Sequence, residues 1–296
     1  MNDLLERLQG ILSDRYRFER ELGRGGMAVV VLAQDVRHQR PVAIKVFRSD
    51  VGDTTGVERF KREIRLLARL QHPHILPLYD SGTTAGTSYF VTPFIEGESL
   101  RQRLRREPQL PIDEAVRLTT EVADALDFAH QHDVIHRDIK PENILLHDGH
   151  AVVADFGIAR AIRRSGAEWT TAAGMAVGSP AYMSPEQASG EREIDGRTDI
   201  YSLASVLYEM LTGRPPFTGP TAQSVIAQRM TVPPQPARSF RMTVPPPLDA
   251  AIVKALARAP DDRHRTASEF GAALTATEGS PERRRRWWHF ARPASP

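Results

Sequence analysis

Leu4, Leu5, Leu8, Ile11 and Leu12 recur at helical intervals between Asn2 and Leu12, and Ser13-Asp14 breaks the run, which predicts a short amphipathic lead-in helix. From Tyr16 to about Ile95 the pattern changes. Short β-branched runs, VVVLAQDV, PVAIKVF and SYFVTPF, are separated by Gly, Asp and Thr, with one helical run at 57–70, so a small sheet with one helix is expected. After Gly97 the periodicity turns helical. Ala115, Leu118, Val122, Ala125 and Ala129 mark one helix, and Ile200, Leu203, Leu207 and Met210 mark another that ends at Gly213. Between them, ILLHDGHAVVADFG holds two apolar runs around Asp148-Gly149, a two-residue hairpin signal. RMTVPP occurs at 229–234 and again at 241–246, two copies within one proline-rich stretch and no repeat architecture.

Composition changes this picture little. With 296 residues, 41% hydrophobic and 26% charged, the chain is long enough for a sizeable core and has globular proportions. It has no cysteine, which excludes disulfide frameworks, Cys-ligated zinc, iron–sulfur clusters and thiol nucleophiles, and fits a reducing compartment. The net charge of +2 is unevenly spread. Residues 281–296 hold five arginines against one glutamate, while the preceding 280 residues hold 34 basic against 36 acidic groups. The basic character belongs to a tail, so no nucleic-acid partner is expected. No apolar run reaches membrane-spanning length and the N-terminus carries early acids, so neither a span nor a secretory signal is expected and the location is read as cytoplasmic.

The first candidate chemistry lies in ELGRGGMAVVVLA. Gly23, Gly25 and Gly26, with Ala28 and Val30, approximate G-x-G-x-x-G-x-V with alanine in the third place, and glycine lets backbone approach phosphate oxygens. A functionless glycine-rich turn would look the same. A P-loop is excluded because no G-K-[ST] follows, and a dinucleotide fingerprint needs a helix where this sequence shows a strand. In Val42-Ala43-Ile44-Lys45-Val46, Lys45 shares a face with Ala43 and needs a partner. The run at 57–70 offers one, since Glu63 falls inside the apolar stripe of Val57, Phe60, Ile64, Leu67 and Leu70, while Lys61, Arg62, Arg65 and Arg69 fall opposite. A Lys45–Glu63 ion pair holding the lysine toward phosphates is expected, with a purely structural core pair as the alternative.

Residues 136–143 read His-Arg-Asp-Ile-Lys-Pro-Glu-Asn, and Asp155-Phe156-Gly157 begins twelve residues past Asn143. With the glycine loop and Val42–Lys45 these resemble the protein-kinase signature set in kind, order and spacing. DFGIAR at 155–160, GSPAYMSPEQ at 178–187 and DIYSLASVLYEMLTGRPPF at 199–217 narrow the resemblance to bacterial Hanks-type serine/threonine kinases, over about residues 16–276. The resemblance implies an α+β, bilobal fold: a lead-in helix over 1–15, a β-rich lobe over 16–95, a larger α-rich lobe over 96–276, and a basic tail over 277–296. It implies ATP with Mg²⁺, or Mn²⁺ in its place. Asp138 would orient the substrate hydroxyl and accept its proton, Lys45 would reach the α- and β-phosphates, Lys140 would touch the γ-phosphate, and Asn143 and Asp155 would hold the metal. Leu22, Val30, Ala43 and Leu145 would sandwich adenine. Thr92 would be the gatekeeper of a hinge in which Pro93 offers a carbonyl and Ile95 the N–H donor.

For regulation the resemblance implies that Arg137 pairs with a phosphorylated residue between Asp155 and Glu186. Thr170 and Thr171 are the candidates, with Ser165 behind them. Lys140 and Ser179 of the substrate-docking (P+1) loop point to Ser/Thr acceptors, Glu186 would pair with Arg263, and Asp199 would cap a buried helix; Ser184 stands where the family carries alanine and is expected to matter little. The expected partners are proteins carrying Ser/Thr, and a second kinase domain in a dimer. Arg283–Arg286 followed by Trp287-Trp288-His289-Phe290 resembles the cytoplasmic edge of a membrane anchor, so residues 283–290 are a candidate peripheral membrane contact and otherwise a plain basic tail. His130, His132 and His136 lack zincin spacing and read as scaffold. Two other functions share the sequence features, a pseudokinase scaffold that binds ATP and a small-molecule phosphotransferase. The intact Lys45, Glu63, Asp138, Asn143 and Asp155 disfavour the first, and the docking loop disfavours the second.

Overall fold

Five runs of alternating residues close into one antiparallel sheet: β1 (Tyr16–Arg24), β2 (Ala28–Asp35), β3 (Arg40–Phe47), β4 (Asp80–Thr84) and β5 (Thr87–Pro93), in the order β1-β2-β3-β5-β4. The structure is a computed structural model that describes residues 8–25, 28–47, 54–84, 87–156, 180–191 and 193–276. Side chains alternate across a strand, so each face of the sheet has its own cover. On one face Ala33, Val42, Ile44, Val46 and Val91 form a core with Tyr16 and with Leu8 of a short helix α1 over residues 8–12. That helix is the described part of the expected lead-in; Leu4 and Leu5 lie outside the described residues.

On the other face α2 (Thr54–Leu67) covers one end only. Its Phe60 and Ile64 pack with Ala28, Phe47 and Phe90, and Phe60 meets Phe47 edge-on with centroids 6.0 Å apart. Lys61, Arg62 and Arg65 face water, as the helical stripe predicts. Beyond the aromatic cluster the same face is left half open at Val30, Ala43 and Lys45.

A second sheet joins β6 (Glu98–Ser99), β7 (Ile144–His147) and β8 (His150–Val153). The β7–β8 turn is the predicted Asp148-Gly149 pair, with φ of 48° and 81°, the left-handed conformation at both positions that a type I′ hairpin demands. Gly97, just before β6, has a different reason to be glycine. A Cβ there would stand 2.1 Å from the carbonyl oxygen of Leu146, so the chain leaving β5 can pass β7 only without a side chain. Gly97→Ala should therefore destabilise the protein by about 1–3 kcal/mol, as overpacking does, read as a lower melting temperature. An unchanged melting temperature would show that this approach is not required.

Chain contacts divide the protein into two units, Met1–Arg103 with Phe128–Gly178, and Leu104–Asp127 with Ser179–Pro296. The division does not fall at 95/96. Residue 76 donates its backbone N–H to Val153 and Val153 donates to His74, both near 2.9 Å, and these bonds tie the β7–β8 hairpin to the sheet-bearing part of the chain. All strands lie in the first unit, together with α3 (Leu100–Arg106) in part. The second is helical, with most of α4 (Ile112–Gln131) and all of α5 (Pro185–Ala188), α6 (Arg197–Thr212), α7 (Ala222–Thr231), α8 (Pro246–Ala255) and α9 (Ala267–Thr275). Helix α6 is buried from Thr198 to Thr212 and stops at Gly213, whose φ of 79° is the left-handed cap expected there. The two RMTVPP copies do not share a structure: the first begins inside α7, the second in the turn before α8.

Candidate active site

The loop entering the 3-10 turn Pro141–Asn143 is organised around His136, which is 1% exposed. Its Nδ1 accepts the backbone N–H of Asp138 at 3.2 Å, which makes Nε2 the protonated nitrogen, and Nε2 donates to the carbonyl of Ala154 at 2.9 Å. Phe156 sets its ring edge against the same imidazole at 4.6 Å between centroids. One side chain thus fixes both Asp138 and the residues flanking Asp155. Arg137 and Asp155 have φ of 67° and 65°, a left-handed conformation costing of order 1–3 kcal/mol each in non-glycine residues, of the kind that collects at functional sites.

Asp138 sends one oxygen into the protein. Lys140 Nζ donates to its Oδ2 at 2.6 Å, and Asn143 Nδ2 donates to Oδ2 at 3.1 Å and to the Asp138 carbonyl at 2.8 Å. Among the described residues Oδ1 has no partner, and the side chain is 42% exposed, so this oxygen is open to a group from outside. The Asn143 amide is oriented by these bonds so that its own oxygen is left for another ligand.

Lys45 comes to this loop from β3. Register sets Val30 and Phe90 opposite Lys45, and Leu32 and Thr92 opposite Ala43, so all six share the half-open face. The Lys45 ammonium lies 2.6 Å from Asp155 Oδ2, and among the described residues no ion pair joins Lys45 to Glu63. The expected pair is therefore replaced by another. Asp155 is partly buried and would be costly to leave without a cation, whereas Glu63 stands half-exposed on α2 and keeps much of its hydration. Burial pushes the Asp155 carboxyl up, but the charge and hydrogen bond of Lys45, helped by the charge of Lys140, outweigh it and hold the group below its ordinary value.

Gly23 pairs with Val30 across β1 and β2, and the N–H of Gly25 donates to the Ala28 carbonyl at 2.9 Å; Gly26 lies outside the described residues. Leu22, Val30, Ala43, Ile95 and Leu145 are half-buried, in contrast with the closed core at Val42 and Ile44 on the other face, and Thr92 is buried. Pro93 ends β5. The donor set fits a hard divalent cation, one carboxylate and one amide oxygen, to be completed by phosphate oxygens and water. Among the described residues no group of three or more His, Asp or Glu side chains is placed to hold an ion.

The model of the protein kinase domain matches residues 16–271. The chain belongs to the protein kinase domain family. Curated proteins similar to it include serine/threonine-protein kinase PknB of Mycolicibacterium smegmatis, 43% identical, and PknB of Mycobacterium tuberculosis, 44% identical, each over 89% of this chain. The chain spans 43% of the length of either relative.

In the helical unit of the kinase domain, Arg263 Nη1 and Nη2 each donate to a Glu186 carboxylate oxygen at 2.7 Å. Its remaining donors go to the carbonyls of Ala257, Arg197 and Arg258, so all five N–H groups are used. Asp199 is not a cap. The cap position of α6 is Gly196, Asp199 is the third helical residue and fully buried, and the Arg197 N–H is taken by the Asp195 carboxylate at 2.9 Å. Ser184 does more than its size suggests: it caps α5 in a reciprocal box with Gln187 and lies 2.6 Å from the Thr198 hydroxyl. Sequence reasoning missed Tyr182, whose buried hydroxyl donates to Glu209, and Arg101, whose Nε donates to Glu142 of the catalytic loop at 2.9 Å. Nothing in the local pattern marks either pair. Thr170, Thr171 and Ser179 lie outside the described residues, as do 283–290. No helix among the described residues is long and apolar enough to cross a membrane.

Proposed function

We propose that this kinase domain transfers the γ-phosphoryl group of ATP to Ser/Thr hydroxyls of proteins, including its own activation segment. The observation that carries the proposal is the convergence of Lys45, Asp138, Lys140, Asn143 and Asp155 within one unit. Asp138 Oδ1 accepts the acceptor O–H proton as the oxygen bonds to the γ-phosphorus and the bond to the bridging oxygen breaks, releasing ADP. Lys140, fixed on Asp138, would offset the charge of the transferring phosphoryl group. Mg²⁺, with Mn²⁺ as a substitute, would be held by Asn143 and Asp155 and would neutralise phosphate charge. Val30, Ala43 and Leu145 offer apolar surface for adenine, with Pro93 and Ile95 as backbone partners.

Pairing of Lys45 with Asp155 supports regulation. Transfer requires the lysine on the helix glutamate and the aspartate on metal, so Lys45 must exchange Asp155 for Glu63. Phosphate on Thr170 or Thr171, paired with Arg137, is the proposed driver. Cytoplasmic location, a kinase-domain dimer and peripheral contact of residues 283–290 with anionic lipid are part of the reading on sequence grounds. No observation favours a scaffold without transfer.

The test is incubation with labelled ATP and Mg²⁺ and a generic protein acceptor, beside Asp138→Asn, with phosphosites mapped by mass spectrometry. Phosphate should appear on Ser and Thr of the acceptor and on Thr170 or Thr171 in the wild type alone, and Thr170→Ala/Thr171→Ala should lose activation. ATP binding without any transfer would sink the reading.

A further inference from the structure

Arg229 on α7 is 2% exposed, as Arg263 is, but the two are treated differently. Arg263 has a bidentate carboxylate and an acceptor for every N–H. Arg229 has no carboxylate among the described residues, and its Nε and Nη1 are buried without any hydrogen-bond partner. Its guanidinium carbon lies 5.8 Å from the ring centroids of both Tyr201 and Phe217, and Nη2 donates to the carbonyl of Pro180. Burial pulls its pKa down, with Tyr201 offsetting part of the fall, yet a guanidinium stays charged.

A buried cation without a carboxylate to balance it weakens a fold, and an apolar side chain beside Tyr201 and Phe217 would avoid the cost. What Arg229 does supply is a tether on Pro180. The loop 180–184 is held at alternate residues, Pro180 by Arg229, Tyr182 by Glu209, and Ser184 by Thr198. We propose that Arg229 is a positioning residue for protein-substrate docking, which keeps the start of the 180–184 loop in place at the expense of stability. The inference rests on the kinase reading above and on the assignment of this loop to the acceptor protein. It predicts an unusual combination, in which removing the charge leaves the protein as stable or more stable while docking worsens.

Arg229→Met and Arg229→Lys separate the possibilities. In Arg229→Met the melting temperature should stay level or rise by about 2–4 °C, while KM for a generic acceptor such as casein rises about tenfold or more and KM for ATP stays put. Arg229→Lys, which keeps a charged donor, should recover most of the acceptor KM. Backbone amides of residues 181–184 should exchange hydrogen faster in Arg229→Met, a readout that needs no catalysis. A wild type that transfers no phosphate overturns the kinase reading, and the exchange arm still judges the tether. Unchanged exchange, a clear fall in melting temperature in Arg229→Met, or an acceptor KM equal to wild type overturns the inference.

Discussion

Asp138→Asn is expected to lower kcat by about 10²- to 10⁴-fold, the usual contribution of a positioned general base, with KM for ATP and the melting temperature near wild-type. The amide has nearly the shape of the carboxylate, so Lys140 and Asn143, which meet Oδ2 at 2.6 and 3.1 Å, still have an oxygen to bond when the amide nitrogen turns outward. That nitrogen then occupies the position of Oδ1 and cannot take a proton. The Asp138 carbonyl, which accepts from Asn143, is untouched, so the catalytic loop keeps its course. A variant that retained even a tenth of wild-type kcat would show that Asp138 does not accept the proton.

The second large effect is on stability. Removing either member of the Glu186–Arg263 pair should cost about 3–5 kcal/mol, because the survivor is a buried charge without its partner. For a chain of this size that is a fall of roughly 6–20 °C in melting temperature. Glu186→Leu/Arg263→Met should be less destabilised than the sum of the single changes, since no unpaired charge is left. The pair also fixes a pH dependence. Burial raises the Glu186 pKa, but the hydrogen bond and charge of Arg263 more than reverse this, so the folded value lies below the ordinary 4.5. A group with a depressed folded pKa stabilises above its unfolded value and loses that contribution as pH falls through the folded one. The gap in melting temperature between wild type and Glu186→Gln should therefore be widest at neutral pH and shrink below about pH 4.5. A gap that is the same at pH 7 and pH 3.5 would mean the pair is not ionised in the folded state.

What the sequence revealed of this molecule follows the range of the forces involved. The Asp148-Gly149 hairpin and the Gly213 stop are local demands on φ, and both are met at the residues read. The half-open face of β3 follows from two-residue alternation alone. Side-chain partners are another matter. Lys45 had two carboxylates within possible reach, and helical periodicity points to Glu63 while saying nothing of Asp155, 110 positions on, whose positive φ turns it toward the lysine. Glu186 and Arg263, separated by 77 residues, were joined through resemblance rather than pattern. Tyr182 with Glu209 and Arg229 with Pro180 went unseen because their partners lie 27 and 49 residues away on a helix that is buried all round and a loop without periodicity.

Helix α1 lies before the family match, which begins at residue 16, yet it packs into the core of the sheet. Leu8 is 1% exposed in the core formed with Val42, Ile44 and Val91, and Gln9 acts as a piece of extra strand: its amide oxygen takes the N–H of Phe18 at 2.8 Å and its nitrogen donates to the Tyr16 carbonyl at 3.3 Å. β1 is the edge of that sheet. Without these few residues the edge would present unpaired backbone groups beside an uncovered apolar face, the combination that lets one molecule add its strand to another. Leu8 and Gln9 thus close an edge and a face of the sheet that residues 16–271 alone would leave open.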